Sequence, residues 1–127
     1  MHAVTRDSTV GRARLGFADA READEFVATL RRFEAGEIAP EEWRQFRLVR
    51  GSYGQRQGGE LSMLRAKVPQ GLLSAEQLEA VAEVAQRFAR GFAHLTTRQN
   101  FQFHFVALAE VEPALRVLNQ AGLTTRE

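Results

Sequence analysis

Apolar positions recur at two different spacings along this chain, and the switches between them mark out its elements. From Asp19 onward, Ala23, Phe26, Val27, Leu30 and Phe33 fall at helical spacing. Arg31 and Arg32 follow near the end, where cations suit the helix dipole, so the pattern predicts a helix closing near Gly36. Pro40 followed by Glu41 and Glu42 makes a good first turn for a shorter helix carrying Trp43, Phe46 and Leu48. Residues 51–59 hold four glycines in nine positions and read as a flexible loop. Residues 61–68 read as a strand, Leu61 and Met63 facing one way and Leu64 and Ala66 the other, closed by Pro69 and Gly71. Ser74 and Gln77 fit a capping box, followed by an apolar stripe through Leu78, Val81, Ala82, Ala85 and Phe88 to a stop at Gly91. A short strand is expected over 93–96. Residues 101–107 alternate Phe101, Phe103 and Phe105 with Gln102, His104 and Val106, which predicts a strand burying its three phenylalanines. A last helix over 110–120 carries Val111, Ala114, Leu115 and Leu118 and stops at Gly122.

From residue 61 the order is βαββα, and a further strand would complete a ferredoxin-like α+β unit with helices on one face of an antiparallel sheet. The expected organisation is a flexible arm over 1–18, a helical segment with its glycine-rich loop over 19–59, and the ferredoxin-like half-domain over 60–127. Residues 1–16 show no periodicity. With 127 residues, 44% apolar and 26% charged, the chain suits one soluble domain, and no apolar run approaches the roughly 20 residues that cross a bilayer. The expected compartment is the cytoplasm.

The chain has no cysteine, which excludes disulfides, a thiolate nucleophile and any iron–sulfur cluster held by its own thiolates. Net charge is only +1, and neither nucleic acid nor membrane is implied as a partner. The basic set is sixteen arginines and one lysine, Lys67. Guanidinium groups are permanently charged and fork onto carboxylates and oxyanions.

If the phenylalanines face the core, Gln102 and His104 lie on the opposite face of their strand, after a turn carrying Thr96, Thr97 and Arg98. Arg65 and Lys67, two residues apart, share one face of the earlier strand. The set suits either a concave site for an anion rich in oxygens or a solvated sheet face with ordinary surface charges. No second histidine or carboxylate stands at metal spacing beside His2, His94 or His104, so no metal ligand is expected. The glycine loop lacks the ending of a phosphate loop.

Three blocks carry a resemblance. They are Met-Leu-Arg-Ala-Lys-Val-Pro-Gln-Gly at 63–71, Leu-Ser-Ala-Glu-Gln-Leu at 73–78, and His-Leu-Thr-Thr-Arg-Gln-Asn-Phe-Gln-Phe-His at 94–104. Their order and spacing resemble the N-terminal ferredoxin-like half-domain of the sirohaem-dependent nitrite and sulfite reductases, over roughly residues 40–127. The resemblance implies a six-electron reduction, of sulfite to sulfide or nitrite to ammonia, at a sirohaem bridged to a 4Fe–4S cluster. It implies that Arg65 reaches the substrate oxyanion, and that Thr96, Thr97, Arg98, Gln102 and His104, with Lys67 nearby, contact the macrocycle and its carboxylates. It also implies a ferredoxin or flavoprotein electron donor and a shared site completed by the rest of the reductase polypeptide. His94 stands where some sulfite reductases have a further sirohaem-binding arginine. The family's cluster cysteines lie downstream of every residue here, so the expectation is a piece of a longer enzyme, cut near Thr124 and inactive alone.

Two other readings share the pattern. One is the precorrin-3B synthase of the same superfamily, against which the full Thr-Thr-Arg-Gln-Asn turn argues. The other is a free-standing ligand- or RNA-binding module, which needs aromatic rings exposed on its sheet.

Overall fold

A computed structural model describes residues 9–10, 13–14, 16–19, 21–54 and 61–126. Within the stretch expected to be a loose arm, the short strands β1 (Thr9–Val10) and β2 (Ala13–Arg14) pair antiparallel. Residues 16–18 then run beside the turn after the last helix, where the Phe17 N–H donates to the Gly122 carbonyl at 2.8 Å. Asp19 receives the Arg21 N–H on Oδ1 at 2.9 Å and opens α1 (Arg21–Glu34), which carries Arg31 and Arg32 in its last turn as expected. Helix α2 (Pro40–Leu48) begins on its proline as expected.

The glycine-rich stretch is not all loop. Ser52–Gly54 forms β3 and pairs antiparallel with β4 (Leu61–Lys67), Tyr53 opposite Met63. Three residues between glycines carry too little alternation to announce a strand, and the Arg47 guanidinium on the Ser52 carbonyl at 3.2 Å helps hold them. Residues 55–59 lie outside the described residues.

Helix α3 (Ala75–Phe88) has the capping box read from the sequence, with Ser74 Oγ accepting the Gln77 N–H and Gln77 Oε1 accepting the Ser74 N–H, both at 3.0 Å. Its buried stripe differs from the expected one. Leu78 and Ala82 face solvent, while Gln77, Ala80, Val81, Val84, Ala85 and Phe88 turn inward. The capping bond draws Gln77 onto the core side and rotates the stripe with it. The short strand β5 is only His94–Leu95. It leads to β6 (Asn100–Ala107) and then α4 (Val111–Gln120), whose Val111, Ala114, Leu115 and Leu118 are buried as expected.

The larger sheet runs β3-β4-β6-β5, all antiparallel, so the α+β class and the helices on one sheet face are as expected. Leu64 and Ala66 of β4 stand opposite Phe103 and Phe101 of β6. Leu64, Ala66 and Phe103 join the same buried cluster as α3 and α4, and so do Phe26 and Leu30 of α1 and Trp43 of α2. The rings extend that cluster: Trp43 meets Phe26 edge-on at 5.5 Å and stacks on Phe33 at 5.3 Å.

The three-phenylalanine alternation breaks at its last member. Leu64 pairs with Phe103 but Ser62 pairs with Val106, so β6 spends one extra residue opposite Met63. This is a β-bulge, and Phe105 takes φ +62°, a region that bulky side chains rarely adopt. Val106 is buried in place of Phe105. The Phe105 ring lies instead 6.4 Å from Phe92, with the Arg90 guanidinium carbon 4.2 Å from its centre.

The segment after α4 returns to the sheet. Thr124 accepts the Lys67 N–H on its carbonyl at 2.8 Å, and its hydroxyl donates to Glu22 Oε1 at 2.8 Å. Gly51 makes this approach feasible: it has φ +74°, and a Cβ there would collide with the Thr125 carbonyl. Glu22 is half-buried, and burial raises its carboxyl above its ordinary 4.5, against the opposing pull of the Thr124 hydroxyl bond.

Phe103→Ala should cost about 3–5 kcal/mol, whereas Phe105→Ala should cost less than about 1.5 kcal/mol because a half-exposed ring loses only part of its transfer energy. Urea unfolding of the two variants checks this, and equal losses would contradict the bulge. Glu22 sets a pH dependence of determinate sign. Between its ordinary value and its raised folded value the folded chain holds the proton more tightly than the unfolded one, so stability should fall as pH rises through that window and level off above it. Glu22→Gln, which keeps an acceptor for Thr124, should remove this fall in unfolding curves recorded across acidic to neutral pH.

Candidate functional site

Burial along β4 alternates, with Ser62, Leu64 and Ala66 inside and Leu61, Met63, Arg65 and Lys67 half-buried on the other face. The period of the strand therefore lifts Arg65 and Lys67 away from the helices. Register adds the neighbours: Arg65 stands opposite Gln102, and Gln102 opposite His94 across β5. The Arg65 guanidinium carbon lies 5.0 Å from the centre of the Tyr53 ring, a cation–π contact that fixes the side chain laterally. Its Nε is buried and, among the described residues, has no hydrogen-bond partner. An unsatisfied N–H of this kind costs free energy and is met when an acceptor approaches.

His104 projects beside the bulge. Its ring stacks with Phe92 at 6.3 Å and stands 6.1 Å from His94. Burial, followed by the charge of His94, lowers its pKa below the ordinary 6.5, so the neutral imidazole is favoured there.

The turn between β5 and β6 is built by its own polar groups. The Thr96 N–H donates to the Asn100 carbonyl and the Gln99 N–H to the Thr96 carbonyl, both at 3.0 Å. The Thr96 hydroxyl accepts the Arg98 N–H at 3.2 Å and bonds the buried Asn100 Oδ1. Thr96 thus has its side chain engaged in shaping the turn, while Thr97 and Arg98 stand exposed at its tip. Gln99, at φ +61°, lies against Gly71, where a Cβ would come 3.1 Å from its amide. That contact locks the turn onto the Pro69–Gly71 segment after β4.

The residues singled out from sequence separate into two groups. Arg65, Gln102 and His104 share the open sheet face. Lys67 and Arg98 instead line a cleft of about 690 Å³ at the end of β4, where Lys67 pairs with Asn100. Thr96 joins the groups through Asn100, and Thr97 does not line the cleft. Sequence reasoning missed Glu22, Thr124 and Arg126, which line the same cleft. Glu22 and Thr124 are about a hundred residues apart along the chain, and no spacing rule connects them. Among the described residues, no group of three or more histidines and carboxylates is placed to hold a metal ion, and no helix is long and apolar enough to cross a membrane.

Comparison with known proteins follows the geometry. Residues 53–121 match the family described as the nitrite/sulfite reductase ferredoxin-like half domain. The sulfite reductase [NADPH] hemoprotein beta-component of Anoxybacillus flavithermus is 43% identical over 63 residues, which are 50% of this chain and 11% of that protein. Ferredoxin–nitrite reductase of Leptolyngbya laminosa is 39% identical over 64 residues, 50% of this chain and 12% of that one. The structure of Mycobacterium tuberculosis NirA superimposes with a TM-score of 0.65 at 26% identity, covering 88% of this chain and 26% of NirA. The chain thus matches a small part of each reductase's length. With more than half of its residues inside the family match, the chain belongs to the nitrite/sulfite reductase ferredoxin-like half-domain family.

Proposed function

We propose that this chain is the N-terminal part of a sirohaem- and 4Fe–4S-dependent oxidoreductase that reduces nitrite to ammonia or sulfite to sulfide by six electrons. Its contribution is one wall of the tetrapyrrole and substrate site, and alone it does not turn over. The observation that carries this reading is Arg65, whose buried Nε lacks a partner on the sheet face away from the helices. Sirohaem presents eight carboxylates, and the donor set fits them: guanidinium, ammonium and amide groups, with few carboxylates to repel them. Arg65 is the donor for the substrate oxyanion. Lys67, Thr97, Arg98, Gln102 and His104 hold the macrocycle and its side groups, with Thr96 shaping the turn that presents Arg98.

When bound, the iron tetrapyrrole and its cluster supply the electrons. This chain supplies charge and hydrogen bonds. A guanidinium held over Tyr53 donates to a developing oxyanion without reorganising, which is where electrostatic stabilisation is most effective. His104, its pKa lowered by burial and then by His94, offers an N–H donor and an acceptor when neutral. The chain has no cysteine, so the thiolate ligands of the cluster come from the remainder of the polypeptide. A ferredoxin or a flavoprotein donates the electrons, in the cytoplasm, with no nucleic acid or membrane involved.

The test is to express the coding sequence with whatever reading frame continues past residue 127. The product should show sirohaem absorption and reduce nitrite or sulfite, and a product that binds no sirohaem would overturn the reading. In that enzyme Arg65→Ala should lower kcat about a hundredfold or more, as loss of one oxyanion donor does elsewhere, while sirohaem content stays near wild type. Unchanged turnover would remove Arg65 from the substrate role.

A further inference from the structure

A second cavity, of about 490 Å³, opens where α2 meets the ends of β3 and β4, and it shares no lining residue with the cleft at the end of β4. Its lining is largely apolar. Trp43 and Phe33, whose rings stack at 5.3 Å, meet Leu61 and Leu108 across it. A volume of this size falls within the roughly 300–1,000 Å³ of small-molecule sites, which pair an apolar lining with a few placed polar groups.

The placed group here is Arg47. Its Nη1 donates to the Ser52 carbonyl at 3.2 Å, and its Nη2 lies across Gly54, where a Cβ would come within 3.3 Å of it. Among the described residues the guanidinium forms no ion pair and no other hydrogen bond, so donors remain open to the cavity. Burial, followed by the charge of Arg44, lowers its pKa below the ordinary guanidinium value, the mark of a partly desolvated cation without a counter-ion. Arg44 also lines the cavity, but it is exposed and its charge is offset by Glu41 at 3.6 Å. The lining is thus left with one positive charge to neutralise.

We propose that this cavity binds a monoanionic aromatic carboxylate, its carboxylate forked on Arg47 and its ring against Trp43 and Phe33. A planar guanidinium matches a carboxylate through two parallel N–H···O bonds, and the paired rings favour a flat apolar body. A phosphate dianion would bring one negative charge too many and leave the rings uncovered. The assignment is independent of the reading under Proposed function, since it uses none of the residues named there.

Ligand-observed NMR titration of phenylacetate tests this, on the protein expressed from the coding sequence with whatever reading frame continues past residue 127. Phenylacetate should bind with a dissociation constant of about 1 mM, as its size allows, and 2-phenylethanol, which keeps the ring without the charge, about tenfold more weakly. Arg47→Gln should weaken phenylacetate about tenfold and leave 2-phenylethanol unchanged, and Arg47→Lys should restore part of the loss. Glu41→Gln, an exposed change at the rim, should tighten phenylacetate about twofold, and it carries the test even where circular dichroism shows Arg47→Gln unfolded. Equal weakening of the acid and the alcohol in Arg47→Gln would make Arg47 a structural residue and overturn the carboxylate assignment. Inorganic phosphate displacing phenylacetate at equal concentration would overturn it in favour of a general anion site. No binding by the wild-type protein, or binding unaltered by both Arg47→Gln and Glu41→Gln, would overturn the site, whatever the same protein does with sirohaem.

Discussion

Pairing of β4 with β6 is the constraint on which the rest of the structure depends. Opposing Leu64 with Phe103 and Ala66 with Phe101 commits one face of both strands to the helices. Because side chains alternate, the same register necessarily turns Arg65, Lys67 and Gln102 to the other face. Core and chemistry are therefore one decision: a slip of one residue would bury the cations and expose the phenylalanines. The helices complete this arrangement. Trp43 and Phe26, from the two N-terminal helices, belong to the same buried cluster as Leu118 of the last one.

The sequence was most legible where a single local rule dominated. The capping box of Ser74 and Gln77, the proline start of α2 and the alternation of β4 all appear where the pattern placed them. It was least legible where two rules competed. The apolar stripe of α3 suggested Leu78 and Ala82 as core, but the cap turned Gln77 inward and displaced them. The alternation of Phe101, Phe103 and Phe105 hid a bulge, because an inserted residue leaves composition unchanged and Val106 is as apolar as the phenylalanine it replaces. In the same way Ser52–Gly54 concealed a strand among glycines.

Of the candidate site, the members within one strand or one turn were readable, since β geometry joins Arg65 to Lys67 and the turn joins Thr96 to Arg98. Their division between an open face and a cleft was not readable. It depends on the twist and edge of the sheet, and on residues 124–126 folding back across it. No period relates Glu22 to Thr124. Their contact exists because α1 and the end of α4 pack together, and Arg116 on Asp24 at 3.0 Å joins the same two helices.

The bulge in β6 also has a mechanical side. By placing two residues opposite Met63, it increases the local strand twist where His104 and Phe105 sit, just past Gln102 on the same strand. A rigid planar ligand laid on this sheet therefore meets a locally twisted floor rather than a flat one. Arg65 and Gln102 precede the bulge and the Phe92–Phe105 ring contact sits at it, so the two ends of such a ligand meet different chemistry.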